Sequence, residues 1–186
     1  MVACNQALLH EAVLWAAQLH AGQDRDGDPA VPYLSHPLEV MNILRLGGVK
    51  NYDTLTAAVL HDVVEETETA FKDIEMRFGK TTAALVAELT RTEPTETEVQ
   101  GLTAKQKYDL RSELLLDDVR RMSRAAQSVK LADRLSNLRA ALVVRKGEKL
   151  DRYLVQSRKI LDIIARDTAP KIWDEINGHL TETNQP

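Results

Sequence analysis

A compact group of polar side chains ends an apolar segment between residues 57 and 67, Ala-Ala-Val-Leu-His-Asp-Val-Val-Glu-Glu-Thr. If this segment is helical, His61 and Glu65 are neighbours at i,i+4 spacing, and so are Asp62 and Glu66. One imidazole and three carboxylates at that spacing can bind a divalent metal ion or transfer protons. Burial of a helix does not require such a group, so these four residues are the first candidates for a functional site.

Two further residues of the same chemical types lie far away in the chain. His36 stands in Tyr-Leu-Ser-His-Pro at the predicted start of a helix, and Asp133 lies inside an apolar helical segment. With His61 and Asp62 they make two imidazoles and two carboxylates. Such a set suits Mn²⁺, Fe²⁺ or Zn²⁺, with positions left for water and substrate. The alternative for the His-Asp pair alone is a helix end with a solvated aspartate, because this dipeptide is common by chance.

Helical spacing of apolar residues dominates the chain and predicts an all-α fold in which separate helices must bring these side chains together. Predicted helices cover about residues 6–20, 37–46, 53–67, 69–78, 81–91, 104–122, 126–145, 148–166 and 169–178. Residues 21–35 carry dense Gly, Pro and Asp signals and are expected to form a loop. Residues 92–103 are polar and acidic and predict a long, mobile loop, of a length that often serves as a lid or binding loop.

Length and composition indicate one compact domain over residues 1–186, a bundle of about eight or more helices with its core at about 6–180. The net charge of −4 argues against a general nucleic-acid binder. Cys4 is the single cysteine, so no intrachain disulfide can form, and a cytoplasmic location is the simplest interpretation. No signal peptide is recognisable, and no run of about 18 apolar residues predicts a membrane-spanning helix.

Four ordered motifs resemble a known family. The order His36 … His61-Asp62 … Asp133 is similar to the H…HD…D pattern of the HD superfamily of metal-dependent phosphohydrolases. Ala-Gly-Gln-Asp-Arg, Pro-Tyr-Leu-Ser-His-Pro, the segment 57–67 and Val-Lys-Leu-Ala-Asp-Arg-Leu-Ser-Asn-Leu-Arg resemble the hydrolase domain of RelA/SpoT-type proteins. The resemblance covers roughly residues 6–180 and leaves no room for a synthetase or regulatory region, so we expect a stand-alone small alarmone hydrolase.

The resemblance implies an enzyme that hydrolyses alarmone nucleotides with one divalent metal ion, Mn²⁺ in the first place. Such enzymes remove the 3′-diphosphate of (p)ppGpp as pyrophosphate and leave GDP or GTP. By resemblance, the metal ligands are His36, His61, Asp62 and Asp133, the acids beside the attacking water are Glu65 and Glu66, and the substrate contacts are Arg25 and Asn137. General chemistry agrees, because a metal lowers the pKa of bound water, a carboxylate can take its proton and a guanidinium can bind phosphate.

Four more basic residues are further candidates for phosphate binding: Lys130, Arg134, Arg120 and Arg121. The alternative for each of them is a place on a solvated helix face, which is the commoner situation for a charged side chain on a helix.

Three positions depart from the family pattern. Asp26 stands where a second basic residue is frequent, Glu66 where the second acid is usually aspartate, and Ala140 where a polar side chain is frequent. Reduced positive charge weakens the case for the guanosine substrates, so the adenosine alarmone (p)ppApp and the 2′-phosphate of NADPH are alternatives. A further hypothesis is a non-catalytic alarmone sensor, against which the intact metal set argues. Base preference, native metal and oligomeric state do not follow from the sequence.

Overall fold

The computed structural model describes the backbone of residues 2–25 and 28–183 and the side chains of residues 5–25 and 30–183. Asp26, one of the three departures from the family pattern, therefore lies outside the described residues. Within the described part, none of the helices is both long and apolar enough to cross a membrane.

The described residues are predominantly helical, which confirms the predicted all-α class. Ten α-helices follow one another as α1 Val2–Leu19, α2 Ser35–Gly47, α3 Tyr52–Leu60, α4 Val63–Glu66, α5 Phe71–Leu89, α6 Glu96–Val99, α7 Ala104–Arg121, α8 Arg124–Val144, α9 Glu148–Ile163 and α10 Pro170–Glu182, with a short 3-10 helix at Arg166–Thr168. The expected bundle of about eight or more helices is thus observed.

A small hairpin replaces part of the loop that was expected at residues 21–35. Strand β1 (Asp24–Arg25) pairs antiparallel with β2 (Asp28–Pro32), with an irregular register. The prediction of a structureless loop was wrong here, because two residues of β1 are too short a run to show alternation in the sequence. The hairpin leads directly into α2 and fixes Arg25 and Tyr33 beside the start of that helix.

Two helices, α3 and α8, form the centre of the fold. All residues of α3 from Thr54 to Leu60 are buried, and the helix packs against α1, α2, α5 and α8. Its first turn is capped by Asn51, whose side-chain oxygen accepts from the Thr54 amide at 2.9 Å. The longer helix α8 packs against α2, α5, α9 and α10. Residues at the end of α3 and in the middle of α8 are therefore held by packing on several sides.

The segment that was predicted as one helix over residues 53–67 is divided. Helix α3 ends at Leu60, and α4 begins at Val63, with His61 and Asp62 in the connection between them. The amides of Glu65 and Glu66 still bond the carbonyl of Asp62, at 3.1 and 2.9 Å. Both glutamates therefore follow the His-Asp pair within one turn, although not on a continuous helix.

Residues 92–103 contain more structure than was expected. Thr95 and Glu98 form a capping box that starts the single turn of α6, and Thr103 with Gln106 forms another that starts α7. The prediction of one long irregular loop was therefore wrong, because a helix of four residues gives no apolar periodicity. A role for this segment as a lid stays a prediction.

Candidate metal centre and substrate cavity

Two buried histidines each direct one ring nitrogen towards the same point. His61 Nδ1 lies 2.8 Å from the carbonyl oxygen of Ala58, an atom that can only accept, so Nδ1 carries the proton. His36 Nδ1 lies 3.0 Å from Ser136 Oγ, whose own hydrogen is donated to Glu39 at 2.8 Å. In both rings the lone pair is thus left on Nε2.

Carboxylate oxygens of Asp62 and Asp133 meet these two nitrogen atoms. His61 Nε2 lies 3.2 Å from Asp62 Oδ1 and 3.9 Å from Asp133 Oδ1. His36 Nε2 lies 3.3 Å from Asp133 Oδ1 and 3.7 Å from Asp62 Oδ2. The structure therefore brings together all four residues that the sequence predicted as metal ligands, from the start of α2, the α3–α4 connection and α8.

The set fits a cation, because four acceptor groups converge and one of them, the buried Nε2 of His61, has no hydrogen-bond donor among the described residues. Ligand atoms of His36, His61 and Asp62 all lie within 4.8 Å of one another. A buried polar atom without a partner is costly, and a divalent ion held by imidazole and carboxylate would remove that cost.

Neighbouring side chains hold one oxygen of each aspartate. Tyr33 donates its hydroxyl to Asp62 Oδ2 at 2.7 Å, and Lys130 donates to Asp133 Oδ2 at 2.9 Å. Burial opposes ionisation of Asp133, but neighbouring groups, first among them the charge of Lys130, outweigh it and hold the pKa of this carboxyl well below its ordinary value. Burial raises the pKa of Tyr33, so its phenol remains a donor to Asp62.

Glu65 and Glu66 lie beside this centre in different environments. The carboxylate of Glu65 is bound by Arg91, through the guanidinium and through the backbone amide at 2.8 Å. The side chain of Glu66 is exposed and forms no hydrogen bond or ion pair with the described residues. The backbone of Glu66 is engaged, since its amide bonds the carbonyl of Asp62 and its carbonyl accepts from the side-chain amide of Gln23 at 2.9 Å. Glu66 is therefore the carboxylate that is free to contact water in the cavity.

The two predicted substrate residues lie next to each other and are both engaged. Arg25 donates to Ser136 Oγ at 3.2 Å and to Asn137 Oδ1 at 3.3 Å. Asn137 in turn donates to Asp133 Oδ1, one turn earlier on α8. Asn137 thus orients an aspartate of the centre in this structure, and its contact with substrate stays a prediction. Ala140 does not line the cavity described next.

A cavity of about 460 Å³ opens in front of these groups. Its volume lies in the range of small-molecule sites. Residues that line it include Arg25, His36, His61, Asp62, Glu65, Glu66, Arg91, Arg111, Lys130, Asp133, Arg134, Asn137, Arg145 and Tyr153. The cavity therefore joins the acceptor cluster to several cations.

The four further candidates for phosphate binding divide into two pairs. Lys130 and Arg134 are buried and line the cavity, so the alternative of a solvated helix face was wrong for both. Nε and Nη1 of Arg134 have no hydrogen-bond partner among the described residues, although the side chain lies under Tyr153 and bonds Gln156. Arg120 and Arg121 pair instead with aspartates on their own helix, away from the cavity.

Sequence reasoning missed Ser136, Glu39, Arg91, Tyr33 and Tyr153. The position of Tyr33, three residues before His36, was a usable signal, and so was Ser136, three residues after Asp133 on α8. Arg91, which follows the end of α5, and Tyr153 of α9 reach the site by long-range contacts, for which local spacing gives no signal.

Comparison with known proteins agrees with this geometry. The family model of the HD domain matches residues 12–165. Guanosine-3′,5′-bis(diphosphate) 3′-pyrophosphohydrolase MESH1 of Xenopus tropicalis is 38% identical over 138 residues, which are 73% of this chain and 70% of the relative. The MESH1 protein of Drosophila melanogaster is 33% identical over 167 residues, 87% of each chain. A solved structure described as a metazoan orthologue of SpoT that hydrolyses ppGpp superposes with a TM-score of 0.80 at 29% identity, over 96% of both chains.

Proposed function

The chain belongs to the HD domain family, and we propose that it is a metal-dependent (p)ppGpp 3′-pyrophosphohydrolase. Relatives named for this activity align with most of their length, and a SpoT orthologue that hydrolyses ppGpp shares the fold. The observation that carries the proposal is the convergence of two imidazole nitrogens and two carboxylates at the wall of a cation-lined cavity.

We assign the metal site to His36, His61, Asp62 and Asp133. Each imidazole has its Nδ1 engaged, which leaves Nε2 for the metal, and the second oxygens of both aspartates are held by Tyr33 and Lys130. A mixed nitrogen and oxygen set suits Mn²⁺, Fe²⁺ or Zn²⁺, and we propose Mn²⁺ because the resemblance to RelA/SpoT-type hydrolases implies it. When bound, such an ion lowers the pKa of water and polarises a phosphoryl oxygen.

The protein's own groups supply the proton transfer and hold the substrate. Glu66 faces the cavity without a partner, so we assign it as the acceptor of the proton from the attacking water. Glu65 is bound to Arg91, and this ion pair holds the helical turn that carries Glu66. Arg25 and the buried Arg134, which has free N–H groups, neutralise the charge of the diphosphate.

The reaction is the addition of water to the phosphorus atom attached to the 3′ oxygen. The bond between that phosphorus and the 3′ oxygen breaks, the water oxygen stays with pyrophosphate, and the 3′ oxygen becomes a hydroxyl by taking a proton. GDP or GTP is the second product.

We further propose a cytoplasmic setting, which the single cysteine supports.

The test is product analysis by anion exchange after incubation of the purified protein and Mn²⁺ with ppGpp, ppApp or NADPH. We expect pyrophosphate and GDP from ppGpp, and no product from Asp62→Asn. Asp117→Asn is the matched control, because Asp117 is an exposed aspartate outside the cavity, and it should retain wild-type activity. Release of orthophosphate from NADPH alone would identify the alternative phosphatase. Tight binding of ppGpp without turnover would identify the sensor.

A further inference from the structure

A second cavity, of about 710 Å³, adjoins the first at the junction between α8 and α9. Its lining residues are Tyr108, Val144, Arg145, Lys146, Lys149, Arg152, Tyr153 and Gln156. Four of these, Tyr108, Arg145, Tyr153 and Gln156, also line the cavity that contains the acceptor cluster. The two cavities therefore share part of their lining and lie side by side, so an extended ligand in the first can reach the groups of the second.

The charge of the second cavity is of one sign. Its lining includes four cations, Arg145, Lys146, Lys149 and Arg152, and no aspartate or glutamate. In the first cavity, by contrast, several cations are neutralised by lining acids, as Lys130 is by Asp133 and Arg91 by Glu65. A concentration of four positive charges is unexpected in a chain with a net charge of −4.

Three of the four cations are free to bind a ligand. Lys146 and Lys149 are exposed and form no ion pair with the described residues, and the guanidinium of Arg145, also without an ion pair among them, lies 4.6 Å from the ring centroid of Tyr153. Arg152 is the exception, because it lies 3.7 Å from Glu148 and 5.1 Å from the ring centroid of Tyr108. An ammonium group without a carboxylate partner can bind phosphate without first breaking an ion pair.

We propose that this second cavity, lined by Arg145, Lys146, Lys149 and Arg152, binds the 5′-phosphates of the nucleotide whose 3′-diphosphate lies at the acceptor cluster. The inference rests on the proposed function. A nucleotide with phosphate chains on both the 3′ and the 5′ oxygens carries two separate polyanions. The first cavity binds the 3′-diphosphate beside the acceptor cluster. The adjoining cavity, whose lining has cations and no acids, binds the 5′-phosphates. The site consequently favours longer 5′-phosphate chains.

The test is a comparison of guanosine 3′-diphosphates that carry one, two or three 5′-phosphates. For the wild-type protein we expect KM to fall with each added 5′-phosphate. In the double variant Lys146→Ala, Lys149→Ala, KM for the 5′-triphosphate should rise about tenfold, because two charge-assisted contacts are lost. The rise should be smaller for the 5′-diphosphate and smallest for the 5′-monophosphate, while kcat remains similar across the series.

The matched control is Lys72→Ala, Lys80→Ala, which removes the same charge from two exposed lysines of α5 outside both cavities. This control should keep the wild-type dependence of KM on the number of 5′-phosphates. An equal change of KM for all three substrates in the Lys146, Lys149 variant, or no change, would overturn the inference while leaving the proposed function intact. Absence of pyrophosphate release by the wild-type protein would instead overturn the proposed function.

Discussion

At the scale of single residues, the site depends on hydrogen bonds that neighbouring side chains form with the candidate metal ligands. Ser136 is the clearest example, because its hydroxyl donates to Glu39 and accepts from both His36 and Arg25. A serine hydroxyl has one hydrogen and two lone pairs, so its capacity is fully used. Ser136 thus fixes the tautomer of His36 and connects that ring to a carboxylate. Such partners of metal-bound histidines contribute strongly to metal affinity.

We therefore predict that Ser136→Ala weakens Mn²⁺ binding about tenfold, because His36 loses the acceptor that orients its ring. Isothermal titration calorimetry of the metal-free protein measures the change. Ser128→Ala is the matched control, since Ser128 is a buried serine of the same helix that bonds only the carbonyl of Ala125. Equal Mn²⁺ affinities of the Ser136 variant and the wild type would contradict the role of Ser136.

The different environments of the two glutamates lead to a second prediction. Glu66→Gln should lower kcat by about 10²- to 10⁴-fold, because the amide cannot accept the proton of the attacking water. Mn²⁺ affinity should stay unchanged. Glu65→Gln should reduce kcat less, because Glu65 is already paired with Arg91. Steady-state kinetics compare both variants with Glu68→Gln, an exposed glutamate outside the cavity. A larger loss of kcat in Glu65→Gln than in Glu66→Gln would reverse the assignment.

At the scale of elements, the ends of buried helices position the side chains of the candidate site. Helix α3 is buried from Thr54 to Leu60 and places His61 and Asp62 directly after its last turn. Helix α5, which packs on α3, bends at Gly79, where φ is 86° and ψ is 168°. This conformation is available almost only to glycine. The bend allows the second half of α5 to end at Leu89, two residues before the Arg91 that holds Glu65.

Gly79→Ala should accordingly destabilise the protein by about 1–3 kcal/mol. The cost arises from the backbone alone, because an added Cβ at Gly79 would meet no atom within 4 Å. Gly178→Ala is the matched control within α10, where the added Cβ also meets nothing within 4 Å and helical geometry suits alanine. That variant should be neutral or slightly more stable. Urea unfolding measures both free energies, and equal stability of the two variants would contradict strain at Gly79.

At the scale of the whole molecule, the converging acceptors link metal binding to stability. The cluster unites residues from α2, α8 and the end of α3, which are far apart in the chain. An ion that binds only the folded state raises the free energy of unfolding by about 2.7 kcal/mol at a hundredfold excess over Kd. Since the unfolded chain does not maintain this geometry, metal should stabilise the fold as a whole.

We predict that Mn²⁺ at that excess raises the Tm of the metal-free wild type by roughly 5–10 °C. The chelator EDTA should reverse the rise, and Asp62→Asn should show little or none of it. Differential scanning calorimetry provides the measurement, with Asp117→Asn as the variant that should respond like the wild type. An equal Mn²⁺-dependent rise in Asp62→Asn would place the stabilising ion elsewhere.

The sequence predicted the helical class and four side chains that the structure brings together, but not the connections between helices. Spacing within one helix correctly paired Asp133 with Asn137, which are hydrogen-bonded in the structure. It also placed a break at Gly79, because glycine interrupts helical patterns. The hairpin at residues 24–32, the division of the helix at His61 and the contact of Arg91 with Glu65 were not predicted. The contact of Arg91 with Glu65 depends on long-range packing, which local periodicity does not encode, and the two residues of β1 are too few to show alternation.

The most direct test of the proposed activity is hydrolysis of ppGpp in ¹⁸O-labelled water with Mn²⁺, followed by mass spectrometry of both products. We predict that a single ¹⁸O atom appears in pyrophosphate and that GDP carries no label, because water adds to the phosphorus attached to the 3′ oxygen. Release of orthophosphate in place of pyrophosphate, or ¹⁸O at the 3′ position of GDP, would contradict the proposed reaction.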